Sequence, residues 1–281
     1  MMEHQSVIEF SRFVPLKMLF SAVCFATIKC VTGKLGTSNC QKTTIREING
    51  LIHAIIASYL SITAFLSKPR LLDDMITSSN VWAETCVSIS TGYFLADSIL
   101  LLWQWCKGKN GNDDPSLNAT ILFHHFATFG SLYYALCSQL FMGYCNMCLL
   151  VEVSSIFLKA RKIWKVNKLP GIGHTIYHLL AIFNIILFTI FRLFVFVYAI
   201  FWWSKNIYRL PLLYTILPIS GSTVVGVINI RYFHLLLKSD IIPILAVTKP
   251  KSQWIMEDGK EPGSFLTIWR KICTLRYRWS L

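Results

Sequence analysis

Seven long apolar windows dominate this sequence, and each is long enough to cross a lipid bilayer. A transmembrane helix needs about 20 apolar residues to span the hydrocarbon core. The windows lie at residues 14–32, 48–66, 85–105, 118–137, 140–158, 175–201 and 211–237. Charged residues make up 15% of the chain, fewer than in soluble domains, and the connections are short. The sequence therefore predicts an all-α integral membrane protein, a polytopic bundle of about seven transmembrane helices.

The net charge of +13 is distributed unevenly between the ends of these windows. If the spans alternate in direction, eighteen of the 27 Lys and Arg residues fall on one face and five on the other. Cytoplasmic loops carry the excess of basic residues in membrane proteins. We therefore expect an outer or lumenal N-terminus and a cytosolic C-terminus. A basic chain can also bind nucleic acid, but no nucleic-acid-binding motif is present, and we expect no such partner.

The C-terminal segment, residues 246–281, differs in character from the spans. Its apolar residues at helical spacing fall on one side, and three basic residues fall off that side. The apolar residues are Phe265, Trp269, Ile272 and Trp279, and the basic residues are Arg270, Lys271 and Arg278. This pattern is typical of a helix that lies on the membrane surface. We expect a cytosolic basic amphipathic tail, with a disordered basic tail as the alternative.

The spacing of cysteine and histidine does not predict a metal centre. Cys145 and Cys148 form a C-x-x-C inside an apolar helix without a second pair, whereas a structural zinc site needs four ligands. His174 and His178 lie one helical turn apart at the start of a span, without an obvious carboxylate nearby. We expect neither a metal nor a cofactor.

Six of the ionisable residues inside the predicted spans are candidates for a common polar layer. Such residues are costly in lipid and usually face the interior of the bundle or a cavity. They are His53, Asp97, His124, His125, Glu152 and Arg192. At 1.5 Å per residue, His125 and Glu152 lie at nearly the same depth on either side of the short fourth connection. His53 and Asp97 lie within about two turns of the cytosolic ends of their spans. The sequence predicts that four helices bring polar groups to one layer in the cytosolic half.

Helical spacing separates the two adjacent histidines. His124 begins a stripe of small and polar residues that includes Thr128, whereas His125 begins an apolar stripe. Glu152 and Ser155 share a face of the fifth span. We therefore predict that His124 faces inward with Glu152 as its carboxylate, and that His125 has a supporting or packing role. For any single residue the alternative is a buried hydrogen-bonded clamp without chemistry.

The adjacent histidines and the segment LLVEVSSIFLKARKIWKVNK at 149–168 resemble the TLC-domain family. Translocating-chain-associated membrane proteins, ceramide synthases and a protein of neuronal ceroid lipofuscinosis share this domain. Segments 46–56, 90–102 and 232–240 follow in the family's order, so the resemblance covers about residues 40–245. It implies a TLC core of six helices, preceded by residues 1–39 with the first transmembrane helix. The sequence is most similar to the branch associated with membrane phospholipid composition and fluidity.

The resemblance also bears on activity. Ceramide synthases share the two histidines, but their fifth helix carries a His-Asp pair and a second Asp where this chain has Val151, Glu152 and Ser155. This departure argues against ceramide synthesis. The branch implies a regulator of phospholipid acyl composition that binds lipid or acyl chains in a cytosol-facing cavity. The alternative is an acyl-CoA-dependent lipid acyltransferase, with His124 as nucleophile or base and Glu152 as its orienter.

Under either hypothesis the expected partners are membrane lipids, and the enzymatic alternative adds acyl-CoA. A third class, a transporter, would be indicated by inverted repeats, which we do not detect. The residues expected to line the cavity are His53, Asp97, His125, Thr128 and Ser155. The branch implies the plasma membrane, whereas the wider family favours the endoplasmic reticulum as the alternative location.

Overall fold

Helices make up nearly all of the chain that the structure describes. The computed structural model describes residues 15–28, 30, 39–106, 115–167, 174–209 and 212–248. The helices are α1 (Pro15–Ile28), α2 (Asn39–Ser67), α3 (Val81–Cys106), α4 (Pro115–Ser138), α5 (Met142–Leu149), α6 (Glu152–Asn167), α7 (His174–Phe188), α8 (Val195–Asn206) and α9 (Leu212–Thr248). Short 3₁₀ turns cover Pro69–Leu71 and Ile207–Arg209. No strand occurs in these described ranges, and the all-α prediction is confirmed.

Each of the seven apolar windows of the sequence contains a helix within the described residues. Four segments in the described part of the chain are long and apolar enough to cross a membrane: Thr43–Ser67, Val81–Trp103, Met142–Trp164 and Leu179–Arg209. The helices α1, α4 and α9 occupy the other three windows. The predicted amphipathic tail lies almost entirely outside the described residues, which end at residue 248.

Helices α2 and α3 form the centre of the bundle. α2 packs against α3 and α6, α3 packs against α4, and α7 packs against α6 and α9. Small residues allow this close packing, since Ala54, Ala57 and Ala64 on α2 have no exposed surface. Ser61 on α2 donates a hydrogen bond from Oγ to the carbonyl of Asn146 on α5, at 2.7 Å. The Asn146 side chain returns one to the Ser61 carbonyl at 3.2 Å, so polar groups pair inside the apolar core.

Contacts between helix ends sort the connections into two groups. At one end of the bundle, Arg209 Nη2 lies 3.3 Å from Asp74 Oδ1, and Phe141 donates its N–H to the carbonyl of Ile76 at 2.7 Å. At the other end, Asn167 Nδ2 donates to Thr44 Oγ1 at 2.9 Å. Spans that alternate in direction along the chain would place these same connections together at each end of the bundle. The two ends are therefore called the outer end and the cytosolic end, following the charge-based prediction.

Residues 139–141 connect α4 to α5, so these two spans are antiparallel neighbours. Gln139 and Phe141 both adopt left-handed backbone conformations, with φ of 56° and 65°. Such conformations are uncommon for residues other than glycine and suit a tight reversal. Phe141 is only 2% exposed, and its ring packs 6.0 Å from that of Trp203.

Two spans depart from regular α-helix. Between α5 and α6 the hydrogen bonds tighten to the i→i−3 pattern, as in the bond from Val153 N to Leu150 O at 3.1 Å. In the next span, the π-helical segment Thr189–Phe194 joins α7 to α8. Short 3₁₀ and π segments inside longer helices often mark functional positions. The first interruption directly precedes Glu152, and the second contains Arg192.

Candidate functional site

The polar residues inside the spans, around His124, His125, Glu152 and Arg192, are called the polar layer below. His53 is fully buried behind them. It is 1% exposed, and its ring stacks on that of Tyr93 at 3.9 Å with the planes 6° apart. Its Nε2 lies 3.2 Å from Ser90 Oγ. The packing of aromatic rings on this histidine is tight, since Phe94 meets it edge-on at 5.5 Å. His53 therefore supports the wall of the layer.

His125 pairs with a carboxylate of α3. Its Nδ1 lies 2.9 Å from Oδ2 of Asp97, with the two side chains 15% and 9% exposed. The distance is that of an ion pair, but the ring N–H does not point at the carboxylate as a hydrogen bond requires. Catalytic hydrogen bonds are often poorly aligned before a ligand binds. The sequence predicted a supporting or packing role for His125, and the structure adds Asp97 as its carboxylate partner.

His124 lies beside His125 and has a buried ring nitrogen. Its ring lies 5.8 Å from that of His125 and 6.5 Å from that of Phe94. Its Nδ1 is buried and has no hydrogen-bond partner in the described part of the chain. The charge of Glu152 acts on His124, but the described contacts include no direct hydrogen bond between them. The structure thus brings both residues to one layer without making them a contacting pair.

Glu152 is connected to Arg192 through Ser155. The Ser155 hydroxyl lies beside the carboxylate of Glu152 and accepts a hydrogen bond from Arg192 Nη2 at 2.8 Å. Glu152 also lies in the first turn of α6, where the helix dipole favours a negative charge. A carboxylate and a guanidinium therefore share one hydroxyl near the middle of two adjacent spans.

Arg192 also holds α6 to α9. Its Nε donates to Ser154 Oγ at 2.8 Å, and its Nη1 donates to Asn229 Oδ1 at 2.9 Å. Its guanidinium lies 5.0 Å from the centre of the Phe188 ring, a cation–π distance. Thr189, at the start of the π-helical segment, donates its hydroxyl to the carbonyl of Ile185 at 2.9 Å and not to the Arg192 network.

Part of the layer is accessible from outside the protein. His124, His125, Thr128, Glu152 and Arg192 keep some exposed surface, although each lies within a predicted span. Space is also left between α4 and α9, where a methyl group added at Gly221 would have Ser131 Oγ, at 3.9 Å, as its nearest neighbour. The predicted cavity-lining residues His53, Asp97 and Ser155 are instead buried behind this surface.

An apolar groove lies beside the layer on the surface of α3 and α4. Its volume is about 310 Å³, and it is lined by Leu102, Trp105, Leu122, Phe123 and Phe126. The last three residues flank the two histidines on α4. An apolar groove next to polar groups matches the two parts of an amphiphilic molecule.

Several buried polar residues of the spans were not identified from the sequence. Asn229 and Ser154 hold Arg192, and Asn184 on α7 is fully buried. An asparagine inside an apolar span is a readable signal, because a buried amide needs a partner. The π-helical segment that positions Arg192 has no comparable sequence signal. Among the described residues, no group of three potential metal ligands comes together.

A comparison with protein families agrees with this architecture. The profile of the TLC domain matches residues 48–238. The chain belongs to the TLC-domain family. Together with the long apolar helices, this membership establishes an integral membrane protein, as the sequence predicted. The matched segment contains both histidines, Glu152 and Arg192.

Individual relatives are similar over the same part of the chain. TLC domain-containing protein 2 of Mus musculus is 28% identical over 193 residues, which are 68% of this chain and 59% of the relative. The corresponding protein of Danio rerio is 24% identical over 191 residues, covering 68% of this chain and 74% of the relative. TLC domain-containing protein 1 of Homo sapiens is 26% identical over 191 residues, covering 68% and 72%.

Proposed function

We propose that this TLC-domain protein regulates the phospholipid acyl composition, and hence the fluidity, of its membrane by binding lipid or acyl chains. The observation that carries the proposal is that Ser155 joins the regions of Glu152 and Arg192 inside the spans, while Glu152 and Arg192 keep some exposed surface. Charged groups at this depth are costly, and they usually serve a ligand or pathway. The apolar groove beside the histidines suits an acyl chain, and the polar layer suits the ester or headgroup region.

The branch of the family that the sequence resembles supports the lipid assignment. It also favours the plasma membrane as the location, with the endoplasmic reticulum as the alternative. Tagged protein examined by fluorescence microscopy beside markers of both membranes would decide between them. Exclusive overlap with the endoplasmic reticulum marker would contradict the plasma-membrane proposal.

Lipid profiling tests the proposed function directly. Cells that lack the protein should regain their normal phospholipid acyl composition with the wild-type chain, but not with Glu152→Gln or His124→Ala. Glu84→Gln is a matched control, because Glu84 hydrogen bonds to Ser79 at the outer end of α3, away from the layer. All variants are compared at equal protein levels in the membrane. Full restoration by both layer variants would contradict a role for the layer.

A second candidate function, an acyl-CoA-dependent lipid acyltransferase, is favoured by the His125–Asp97 distance of 2.9 Å. A carboxylate beside an imidazole supports a general base. In this reaction, the acceptor lipid attacks the thioester carbon and the C–S bond breaks. His125 passes the acceptor's proton to the departing thiolate, while His124 lies beside it.

Proteoliposomes that contain the purified protein distinguish the two candidates. Transfer of labelled acyl groups from acyl-CoA to lipid, and its loss in His125→Ala and Asp97→Asn, would establish the enzyme. Label that remains on a histidine would instead indicate a covalent acyl-enzyme route. If the wild-type chain transfers no label but retains acyl chains, the binding function stands.

A further inference from the structure

The cytosolic ends of α2 and α6 carry a large excess of positive charge. Residues 39–50 and 159–167 contain six Lys and Arg residues but a single acidic residue, Glu47. The two helices pack directly against each other. Arg46 of α2 and Lys159 and Lys162 of α6 share one small region with Glu47, and we call these four residues the basic cleft.

Glu47 can neutralise only part of this charge. Lys162 Nζ lies 2.8 Å from Glu47 Oε1, and Arg46 Nε lies 3.6 Å from the same oxygen. The Glu47 side chain is 8% exposed, whereas those of Arg46 and Lys162 are 31% and 27% exposed. Two cations thus surround one buried carboxylate and still present their outer surfaces to the surroundings.

Lys159 adds a third positive charge on the inner side of the basic cleft. A methyl group added at Gly50 would lie 2.5 Å from Lys159 Nζ and 3.2 Å from Tyr93 Oη. The ammonium of Lys159 therefore rests where α2 has no side chain. Its charge acts on both Glu47 and Glu152. The basic cleft consequently begins at the membrane edge and extends towards the polar layer.

The depth of the basic cleft corresponds to lipid headgroups. The apolar segment of this span ends at Trp164, two residues beyond Lys162. Tryptophan is enriched at the level of the headgroups. Basic pockets between transmembrane helices at this level are suited to anionic headgroups, because each Lys or Arg near the surface attracts them.

We propose that the basic cleft binds the phosphate of an anionic phospholipid headgroup, with Arg46 and Lys162 as its direct contacts. An Arg fork fits phosphate with two parallel hydrogen bonds, and a Lys supplies a mobile point charge. Lys162 is ten residues, or about 15 Å along the helix, from Glu152. The headgroup site is therefore separate from the polar layer and does not depend on its proposed function.

Lipid retention by the full chain tests the site. The purified protein is equilibrated with mixed micelles of phosphatidylinositol bisphosphate, phosphatidylserine and phosphatidylcholine, and retained lipid is measured by mass spectrometry. We expect the anionic lipids to be retained over phosphatidylcholine. Each of Arg46→Gln and Lys162→Gln should weaken this retention about fivefold. The control Lys68→Gln with Lys205→Gln removes two cations from the outer end and should change nothing. Equal losses in control and cleft variants would overturn the site.

Glu47→Gln should change the retention of anionic lipid in the opposite direction. It removes the carboxylate that competes with phosphate, so retention of anionic lipid should increase while retention of phosphatidylcholine stays constant. This variant still tests the proposal if Arg46→Gln or Lys162→Gln fails to fold. Decreased or unchanged anionic retention in folded Glu47→Gln protein would contradict the proposal.

Soluble phosphates distinguish a lipid headgroup from a free ligand. Inorganic pyrophosphate and CoA are added to the same micelles at increasing concentration. If the site recognises a lipid, these compounds should displace it only weakly, because they lack the acyl chains that anchor a lipid at this depth. Displacement of phosphatidylinositol bisphosphate at equal concentration would reassign the basic cleft to a soluble phosphate compound.

Discussion

Nδ1 of His125 on α4 lies 2.9 Å from Oδ2 of Asp97 on α3, and both side chains are largely buried. The pair therefore contributes to the packing of two neighbouring spans as well as to the polar layer. When one partner of a buried ionic pair is removed, the other remains uncompensated. The stability of the α3–α4 contact should consequently depend on both residues together.

The first prediction is that His125→Ala and Asp97→Asn are not additive. Each single change should destabilise the protein, and the double change should differ from their sum by about 0.5–3 kcal/mol, the range for residues in contact. The measurement is the free energy of unfolding in detergent for the wild type and the three variants. A control cycle of Asp97→Asn with Ser204→Ala on α8 should be additive. Additivity in both cycles would mean that the two residues do not interact.

The sequence predicted the positions of the helices and the composition of the layer better than the pairing inside it. Depth in the membrane follows from counting residues along each span, so the sequence could predict the common depth of His125 and Glu152. Pairing depends on helix rotation, and the apolar stripe below His125 suggested packing. A short imidazole can still reach Asp97 on the next helix from the edge of such a stripe, as the structure has it.

The second prediction concerns the three hydrogen bonds of Arg192. Arg192→Lys keeps the charge, but a single ammonium cannot replace the planar fork that reaches Ser154, Ser155 and Asn229. Loss of even one hydrogen bond to a charged group costs about 1.5–3 kcal/mol. Thermal unfolding should show a clear decrease for Arg192→Lys. Lys205→Arg, at an exposed position on α8, should stay close to wild type, and an equally stable Arg192→Lys would refute the bridging role.

The sequence did not predict the hydrogen bonds that Arg192 makes to Ser154, Ser155 and Asn229. A regular helix would place Arg192 on the face given by 3.6 residues per turn. The π-helical segment Thr189–Phe194 shifts that face. The side chain of Arg192 contacts residues on two other helices, α6 and α9. Contacts of this kind depend on the arrangement of α6, α7 and α9, which hydropathy and spacing do not specify.

The third prediction is a pH dependence at the outer end of the bundle. Partial burial alone would raise the pKa of Asp74. Hydrogen bonds from Thr77 and Ile76 and the charge of Arg209 together outweigh it and lower this pKa. The stabilisation is therefore present above the unfolded-state pKa of about 3.9 and is lost as the pH falls through the lower folded-state pKa.

The difference in unfolding temperature between wild type and Asp74→Asn should follow the charge of Asp74. It should be largest near neutral pH and shrink at pH values below about 4. Asp73→Asn removes the same charge from the neighbouring position and serves as the control. If the Asp74→Asn difference were the same at pH 7 and pH 3, the ionised carboxylate would not be the source of the stabilisation.

The last prediction compares two glycines and tests whether α1 belongs to the bundle. A methyl group added at Gly92 on α3 would lie 2.8 Å from the backbone nitrogen of Ala22 and would also meet the carbonyl of Met18. Backbone atoms cannot rotate away, so α1 would have to separate from α3 and lose the hydrogen bond from Ser21 Oγ to the carbonyl of Ile89. Overpacking of this kind costs about 1–3 kcal/mol.

Gly130 on α4 is the matched comparison, because a methyl group there would have no neighbour within 4 Å. Gly130→Ala should stabilise the protein by up to about 1 kcal/mol through helix propensity, whereas Gly92→Ala should destabilise it. Thermal unfolding of both variants in the same detergent provides the comparison. Since the substitutions are chemically identical, opposite signs would report the contact between α1 and α3. An equal gain in stability at both positions would show that α1 does not pack at Gly92.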